Sequence, residues 1–581
     1  MGLDRWGGLR KSGWSRAGGR TILGGSAANG ATTTRVGIRW GALMGYILGV
    51  NAPPTLRQAE QCPFGGHDPS ACLLDERGRV VAMEEQERIS RQRYGVFEDP
   101  TDAIGACLEI AGVSLGDIDV VAVGWDVPRV AAITGEGWSF GSTDAYLRRL
   151  GFDPAVHRPE LVFVEHHRAH AASAFYAAGI PEAAVLVMDG NGEDESISVF
   201  HGRPSGELVR RDRMPQSRSL GDMYAAVSRH LNLGLLNAGK TMGLASYGRG
   251  AGLDPFPMLD EEGRPLFAHH ADMQQEAVMQ AWRGHLARLA PKRLTPSRLL
   301  HEDTQSVRLA WSAQVAVEQQ LVRLVEWSRK ITGADAVCLS GGVALNCSAN
   351  GRLDGTVFCP PVPHDGGVAL GAAWTVRRPA LPERMDPFLG SSLRGEVPAD
   401  LRAVDLDLDR VVDLLVGGAV GGVAVGRAEV GPRALGHRSL IAMPSVEGVR
   451  DRINVAKSRE AWRPLAPVSL ASTAARFWEV KDPLQRYMLG ATAVTDHARE
   501  VMREAVHVDG TARAQIVADD DSPFARILTR MERAGLPPVL INTSLNALGE
   551  PIAHSVDDVL RTYEQCALDF LILEDRLIVR G

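Results

Sequence analysis

Paired cysteines, long apolar runs and a strong charge of either sign are all missing from this chain, and each absence removes a class of protein. The seven cysteines, Cys62, Cys72, Cys107, Cys338, Cys347, Cys359 and Cys566, include no C-x-x-C pair. That spacing speaks against a disulfide framework and a thiolate zinc site and favours a reduced, cytoplasmic setting. No apolar stretch approaches the roughly 20 residues that span a bilayer, because Gly, Asp or Arg interrupts the longest candidates. An integral membrane protein is therefore not expected. The formal net charge of −7 over 581 residues gives no global pull toward nucleic acid or a membrane surface, so any anion site has to be local. What is present, 45% hydrophobic and 23% charged residues, is the make-up of a globular protein too long for one core and expected to hold two or more domains.

Residues 1–43 are rich in Gly, Arg, Ser and Thr with little apolar period, and are expected to be a disordered extension or a mis-assigned start; "ILGGSAANG" is too weakly apolar for a signal peptide. From Met44, "GYILGVN" and "SACLLDERGRVVAMEEQER" read as short strands broken by a Gly turn and followed by a helix. A similar succession recurs from 183 in "AAVLVMDGNGEDESISVFHGRPSGELVRRDRMP". A β-meander repeated in this way, with helices after each copy, is how actin-like ATPase domains are built. Helical patterns dominate 270–330, and a buried strand at 335–339 then runs into Gly341 and Gly342 and then a helix, a geometry that exposes backbone N–H groups to an anion. Residues 376–400 carry four prolines and no apolar period. The expected division is 44–380, a linker at 381–397, and 398–581.

"VEHHRAHAASAFY" places His166, His167 and His170 on one alanine-rich helix start. His166 and His170 lie one turn apart and share a face, which leaves a metal site and a plain polar face both open. Asp189 ends the strand in "VLVMDGNGED", and Asp365 precedes a Gly pair in "PHDGGVALGAAW". Taken singly these are a turn and a helix N-cap. With two of the histidines they make a 2-His, 2-Asp set of nitrogen and oxygen donors suited to Fe(II), Mn(II) or Zn(II).

The C-terminal part has another character. "VGRAEVGPRALGHRSL" supplies Arg427, Arg433 and Arg438; "VAKSREAWRPLAP" adds Lys457, Arg459 and Arg463; "DGTARAQIV" adds Arg513. These cations stand in apolar, turn-rich contexts unlike a charged helix face, and the planar arginine fork suits phosphate, so a polyanionic substrate is expected. "VLINTSLNALGEPI" gathers Asn542, Thr543, Ser544 and Asn546. They form either a structural Asx/ST turn or hydrogen bonds to a nucleotide or phosphate.

Ten ordered motifs carry a resemblance that covers the chain from Met44 to its end: "GHDPSACLL", "MEEQERISRQRYG", "AVGWDVP", "HHRAHAASAFY", "VMDGNGE", "GKTMGLASYG", "SGGVALNCSANGRL", "GPRALGHRSL", "REAWRPLAP" and "INTSLNALGEP". Together they resemble the O-carbamoyltransferases of nodulation-factor, cephalosporin, ansamycin and tobramycin pathways, the last most of all. The resemblance implies an α/β chain whose N-terminal part is a duplicated actin/sugar-kinase-like (ASKHA) domain. Its C-terminal part would be an α+β YrdC-like domain, with Lys457-Ser458-Arg459 similar to the K-x-R motif and Ser544 and Asn546 to the S-x-N segment. It further implies that the C-terminal domain makes carbamoyl-adenylate from carbamoyl phosphate and ATP with Mg2+. The N-terminal domain would then pass the carbamoyl group to a hydroxyl of a small-molecule, antibiotic-type acceptor. Metal ligands carry over onto His166, His170, Asp189 and Asp365, with iron(II) the implied ion.

On this reading the seven basic residues hold the anions, with Lys457, Arg459, Arg463, Ser544 and Asn546 closest to the chemistry. Lys240, the Gly341–Gly342 turn and Asn346 are candidates for the AMP portion, and His67 or His167 for general base. Two departures from the family pattern stand out: Leu548 occupies a position that commonly holds Arg, and the insertion-like "APPTLRQAEQCPFGG" precedes His67 and Asp68. Other readings are weaker. A fused tRNA threonylcarbamoyl-transfer enzyme would need a basic stripe, and a hydrogenase-maturation enzyme would need an acylphosphatase module and C-x-x-C pairs. An actin-like nucleotide switch would release no pyrophosphate.

Overall fold

The computed structural model describes residues 45–52, 66–134, 141–267, 274–292, 294–380, 382–398 and 401–580. The extension 1–43 and most of the insertion before His67 (53–65) lie outside the described residues.

The two repeats seen in the sequence fold into two sheets of the same topology. In the first, β1 (Tyr46–Asn51), β2 (Ser70–Leu74) and β3 (Val80–Glu85) form an antiparallel meander, and β4 (Ile118–Val123) and β5 (Glu160–Phe163) add parallel beyond β1. The order is β3-β2-β1-β4-β5. In the second, β6 (Ala183–Gly192), β7 (Glu195–Gly202) and β8 (Leu208–Pro215) form the meander, and β9 (Val337–Ser340) and β10 (Val357–Phe358) add parallel beyond β6. The order β8-β7-β6-β9-β10 repeats that of the first sheet strand for strand. This is the duplicated actin/sugar-kinase-like architecture. The central strands β1 and β6 read as nearly unbroken apolar runs because both faces are covered.

Helix His166–Tyr176 is buried on almost every side, which its alanines permit. It packs on helix Val368–Val376 backbone to backbone: a Cβ on Gly371 would stand 1.7 Å from the Ala169 carbonyl oxygen. The helical stretch after 270 resolves into Gln275–Leu289 and the 29-residue Thr304–Thr332, capped by Asp303 at its start and by Gly333, at φ 80°, at its end.

The C-terminal part is α+β. Its main sheet holds β11 (Ala403–Asp405), β12 (Val420–Ala424), β13 (Arg438–Ala442), β14 (Ala466–Leu470), β17 (Gln515–Val517), β18 (Val539–Ser544), β19 (Phe570–Leu573) and β20 (Arg576–Val579), and β15 (Thr492–Ala493) pairs with β16 (Thr511–Ala512) apart from it. The sheet order is β11-β20-β19-β12-β13-β18-β14-β17. Apolar clusters cover both faces, around Leu440, Ile541 and Leu571 on one and Val423, Phe524 and Phe570 on the other.

The proline-rich stretch is not a free tether. Glu383 and Met385 donate to the carbonyls of Tyr176 and Ala177, the Leu389 carbonyl accepts from Met83, and Gly390 donates to Ala428. Its prolines deny it a regular element, but these bonds tie it to both parts of the chain.

Candidate active site

The four residues expected to bind metal converge. Asp189 stands at the outer end of β6, Asp365 follows β10, and the histidines open the helix His166–Tyr176, so all four collect at the C-terminal ends of the parallel strands. Their ligand atoms lie within 4.8 Å of one another, and all four residues are buried. His166 Nε2 is 3.2 Å from Asp189 Oδ2 and 3.6 Å from Asp365 Oδ1; His170 Nε2 is 3.3 and 3.4 Å from the same two atoms.

The surroundings orient the donors inward. His166 Nδ1 donates to the Gly124 carbonyl at 3.0 Å, which leaves the Nε2 lone pair facing the cluster, and the Trp125 ring stacks on the imidazole at 3.8 Å between centroids. Asp189 Oδ1 accepts from the N–H groups of Gly190 and Gly342 at 2.8 and 3.0 Å, leaving Oδ2 for the centre. The two Nε2 atoms are 3.1 Å apart, so the nitrogen donors face one another at close range. The electrostatics agree. Burial opposes charge on His166, yet Asp365 and then Asp189 hold it well above the usual imidazole range. Burial likewise raises both carboxyls, yet the imidazoles hold Asp189 and Asp365 well below the usual carboxylate range. Two nitrogens and two oxygens converging in a buried, inward-oriented set fit a divalent transition metal.

Asp189 and Asp365 line a cavity of about 920 Å³, which also takes in His67, Asp68, Glu85, Asp222, His364 and Lys240. His67 Nδ1 is 2.9 Å from Asp68 Oδ2. Burial works against its charge, but Asp68 and then Asp365 raise it to about 9. His364, next to Asp365, was not singled out from the sequence, although it stands in the quoted "PHDGG". Its Nε2 is 3.5 Å from Glu85 Oε1, and against burial Asp68 and Glu85 raise it to about 9. Glu85 Oε2 in turn accepts from the Gly431 N–H at 2.8 Å and pairs with Arg88 at 3.1 Å. Asp222 is a further wall residue that its sequence context does not reveal. Burial raises it to about 7 although Gln275 and Gln216 donate to its two oxygens.

A second cavity of about 200 Å³ is lined by Arg433, Lys457, Arg459, Arg463, Arg513, Asn542, Thr543, Ser544 and Asn546. Burial, with neighbouring cations adding to it, lowers the proton affinity of three of them: Arg433 falls to about 9, and Arg459 and Lys457 lie well below their usual ranges. Among the described residues Arg433, Arg459 and Arg513 each leave a buried Nε without a partner. Lys457 Nζ is engaged by the Ser544 carbonyl and by Asn546 O and Oδ1, the last two at 2.8 and 2.7 Å, so it braces the "SLN" turn. The Ser544 hydroxyl donates to Asn546 Oδ1, and Arg459 reaches Thr543 Oγ1. The two cavities adjoin, for Arg93, Arg433, Arg463, Ser544 and Asn546 belong to both walls.

Several expected residues take other places. Arg438 is fully buried and donates to the carbonyls of Val425, Gly426, Ser391 and His437, while Arg427 donates to those of Val81, Leu389 and Gly390; neither lines either of these two cavities. Both are clamps on the backbone rather than anion ligands. His167 is buried with Nδ1 2.8 Å from Ser198 Oγ and lines neither of the two cavities, so it faces the core and not the space where an acceptor would stand. Lys240 lines the larger cavity, but its ammonium pairs with Glu460 at 2.9 Å. Gly341, at φ 87°, packs against the Met188 backbone, and only a 3₁₀ turn, Gly342–Leu345, and the four-residue helix Cys347–Asn350 follow. No helix dipole is aimed at a nucleotide there; the Gly342 N–H serves Asp189. Asn346 caps that short helix, accepting from the Ala349 N–H, and pairs with Gln314. Asn542 Nδ2 is taken up by Ala434 and Gln515. Leu548, 64% exposed, stands at the rim of the smaller cavity and contributes no charge there.

Residues 142–374 match the family model for the carbamoyltransferase N-terminus and residues 412–580 that for the carbamoyltransferase C-terminus. Nodulation protein NolNO of Sinorhizobium fredii is 32% identical over 88% of this chain and 79% of its own length. Nodulation protein NolO of Bradyrhizobium diazoefficiens is 34% identical over 71% and 78%. The 3'-hydroxymethylcephem-O-carbamoyltransferase of Streptomyces clavuligerus is 28% identical over 88% and 97%. The two family matches and the nodulation-protein relatives agree: the chain belongs to the carbamoyltransferase family.

Proposed function

We propose that this carbamoyltransferase works in two steps, one in each cavity, and that its product is the carbamate ester of a small-molecule natural-product alcohol of antibiotic type. One observation carries the reading: a chamber crowded with uncompensated cations opens directly onto a chamber that ends in a 2-His, 2-Asp donor set.

A carbamoyl group is a weak electrophile because its nitrogen donates into the carbonyl, so it has to be activated. In the smaller cavity water cleaves carbamoyl phosphate to carbamate and phosphate. A carbamate oxygen then attacks the α-phosphorus of ATP, supplied as its Mg2+ salt, and pyrophosphate leaves. Arg433, Arg459, Arg463 and Arg513 offset the charge of these anions, which would otherwise repel one another. Lys457 keeps the Ser544–Asn546 turn in shape.

The mixed anhydride then meets the acceptor in the larger cavity. The acceptor oxygen bonds to the carbamoyl carbon, the bond from that carbon to the phosphate oxygen breaks, and AMP leaves with the electron pair. His67, oriented by Asp68, takes the hydroxyl proton. His166, His170, Asp189 and Asp365 would hold iron(II), which when bound supplies Lewis acidity and offsets the two carboxylates. Asp365 and Asp189 are among the charges that raise His67, so a filled site also favours its neutral form.

The proposed division of labour places the transfer domain at 44–380 and the adenylate-forming domain at 398–581. Incubation with carbamoyl phosphate and ATP is expected to give phosphate and pyrophosphate in equal amounts without any acceptor. A panel of aminosugar, macrolactam and hydroxymethyl-cephem alcohols with labelled carbamoyl phosphate then identifies the acceptor class. Absence of pyrophosphate under iron(II)-replete, reducing conditions would sink the reading.

A further inference from the structure

Arg93 has no role in the chemistry described so far, yet the chain is contorted to present it. It belongs to the N-terminal part but lines both cavities, at the seam where they adjoin. Around it, Arg91, Tyr94 and Phe97 all adopt left-handed backbone conformations, at φ 63°, 67° and 65°, and Gly95 joins them at 51°. Three such non-glycine residues within seven positions are unfavourable unless the surroundings enforce them.

The surroundings do enforce them. Arg91 donates to the carbonyls of Ile552 and Pro551 in the C-terminal part, at 2.7 and 2.9 Å, and pairs with Asp558. The Tyr94 hydroxyl donates to the Leu236 carbonyl, its N–H to Glu87, and its carbonyl accepts from the Asp68 N–H at 2.7 Å, so the same loop seats the residue that orients His67. Held from both sides, the loop leaves the Arg93 guanidinium resting over the Tyr94 ring, 4.8 Å from its centroid. Among the described residues Arg93 makes no ion pair with a carboxylate, and it lies close enough to Lys457, Arg459 and Arg463 to disfavour their charge. Arg93 is exposed toward the seam, and an arginine that adds to a cluster of like charges raises the energy of the empty chamber, an effect that an anion at the seam reverses.

We infer that Arg93 holds the phosphate of the carbamoyl-adenylate at the passage between the two cavities, keeping the intermediate on the protein until the acceptor oxygen attacks. The inference rests on the two-step reading above. Without this grip the adenylate escapes and water takes the acceptor's place: the anhydride is cleaved to AMP and carbamate, which breaks down to carbon dioxide and ammonia.

The test needs no acceptor. Full-length protein, Arg93→Gln and Arg93→Lys are given ATP and carbamoyl phosphate labelled in its carbamoyl carbon, and pyrophosphate and filter-retained label are followed together. Wild-type protein is expected to retain about one label per chain. In R93Q the half-life of retained label should fall about tenfold while the first-turnover pyrophosphate burst falls by no more than about threefold, and R93K, which keeps the charge, should lie between. Equal retention in wild type and R93Q overturns the inference, as does failure of wild type to retain label. A burst lost in parallel with retention also overturns it, because Arg93 would then belong to the activation step. If wild type releases no pyrophosphate at all, the two-step reading itself has failed, before the variants are compared.

Discussion

Replacing Arg433 by methionine should make the ligand-free protein more stable while weakening its hold on anions. Arg433 stands with Arg459, Arg463 and Arg513 around the smaller cavity, and burial followed by the charge of Arg513 lowers it from 12.5 to about 9. The side chain is partly open to solvent, and guanidinium keeps its proton in proteins, so screening leaves a net penalty of about 2 kcal/mol. Methionine keeps the apolar stem and removes the charge. Urea unfolding followed by tryptophan fluorescence should therefore show R433M about 2 kcal/mol more stable than wild type at unchanged slope. Pyrophosphate at 100 times its dissociation constant should add about 2.7 kcal/mol to wild type and less than half of that to the variant. The same substitution at Arg438 supplies the contrast. Its guanidinium is fully buried against four carbonyls, so R438M should lose about 3 kcal/mol with pyrophosphate present or absent. An R433M variant that unfolds at lower urea than wild type would refute the idea that this cluster is under electrostatic tension.

His170→Ala should lower tightly bound metal, measured by mass spectrometry, at least about tenfold while pyrophosphate release persists, because the donor set lies away from the cation cluster. His67→Asn should slow carbamoyl transfer to an identified acceptor about 10²–10⁴-fold. His167→Asn should instead lower the melting temperature and leave the pH profile of transfer in place, since that imidazole faces Ser198 in the core. Asp222 gives a pH signature: burial raises it from 3.8 to about 7, so the folded state binds the extra proton and stability falls as pH rises through that window. Asp222→Asn should match wild type near pH 4 and exceed it by up to about 4 kcal/mol at pH 8, and parallel pH curves would count against the assignment.

The repeated meander was legible as a recurring strand pattern, and the His166/His170 spacing as one helix face. That spacing left a metal site and a plain polar face equally open, and the family resemblance, not local geometry, gave His166, His170, Asp189 and Asp365 their shared role. The arginines were legible only as a group. Arg427 and Arg433 stand six positions apart in one Gly-rich segment, yet one is taken up by the carbonyl of Val81 and the other faces the smaller cavity. Nothing local separates them, because the partner that decides comes from hundreds of residues away. Asp222 was missed for a related reason. It stands in the first turn of helix Leu220–His230, where an acidic residue is ordinary, and only burial and the approach of Gln275 make it unusual. Arg93 and His364 lay inside quoted motifs, and two faint signals pointed to them: a Tyr-Gly pair after Arg93, and the adjacency of His364 to a metal ligand.

The contact at Gly371 sets a limit on how this enzyme can diversify. One pair of touching helices carries the histidine donors and the chain leaving Asp365, and no side chain can be inserted between them without prising the donors apart. Change of substrate has to come from the opposite bank of the larger chamber, where Gln216, Asp222 and Gln275 stand on separate segments. A library that randomises those positions and leaves the helix pair alone divides the molecule where its own architecture does, into an invariant anvil and an exchangeable tool.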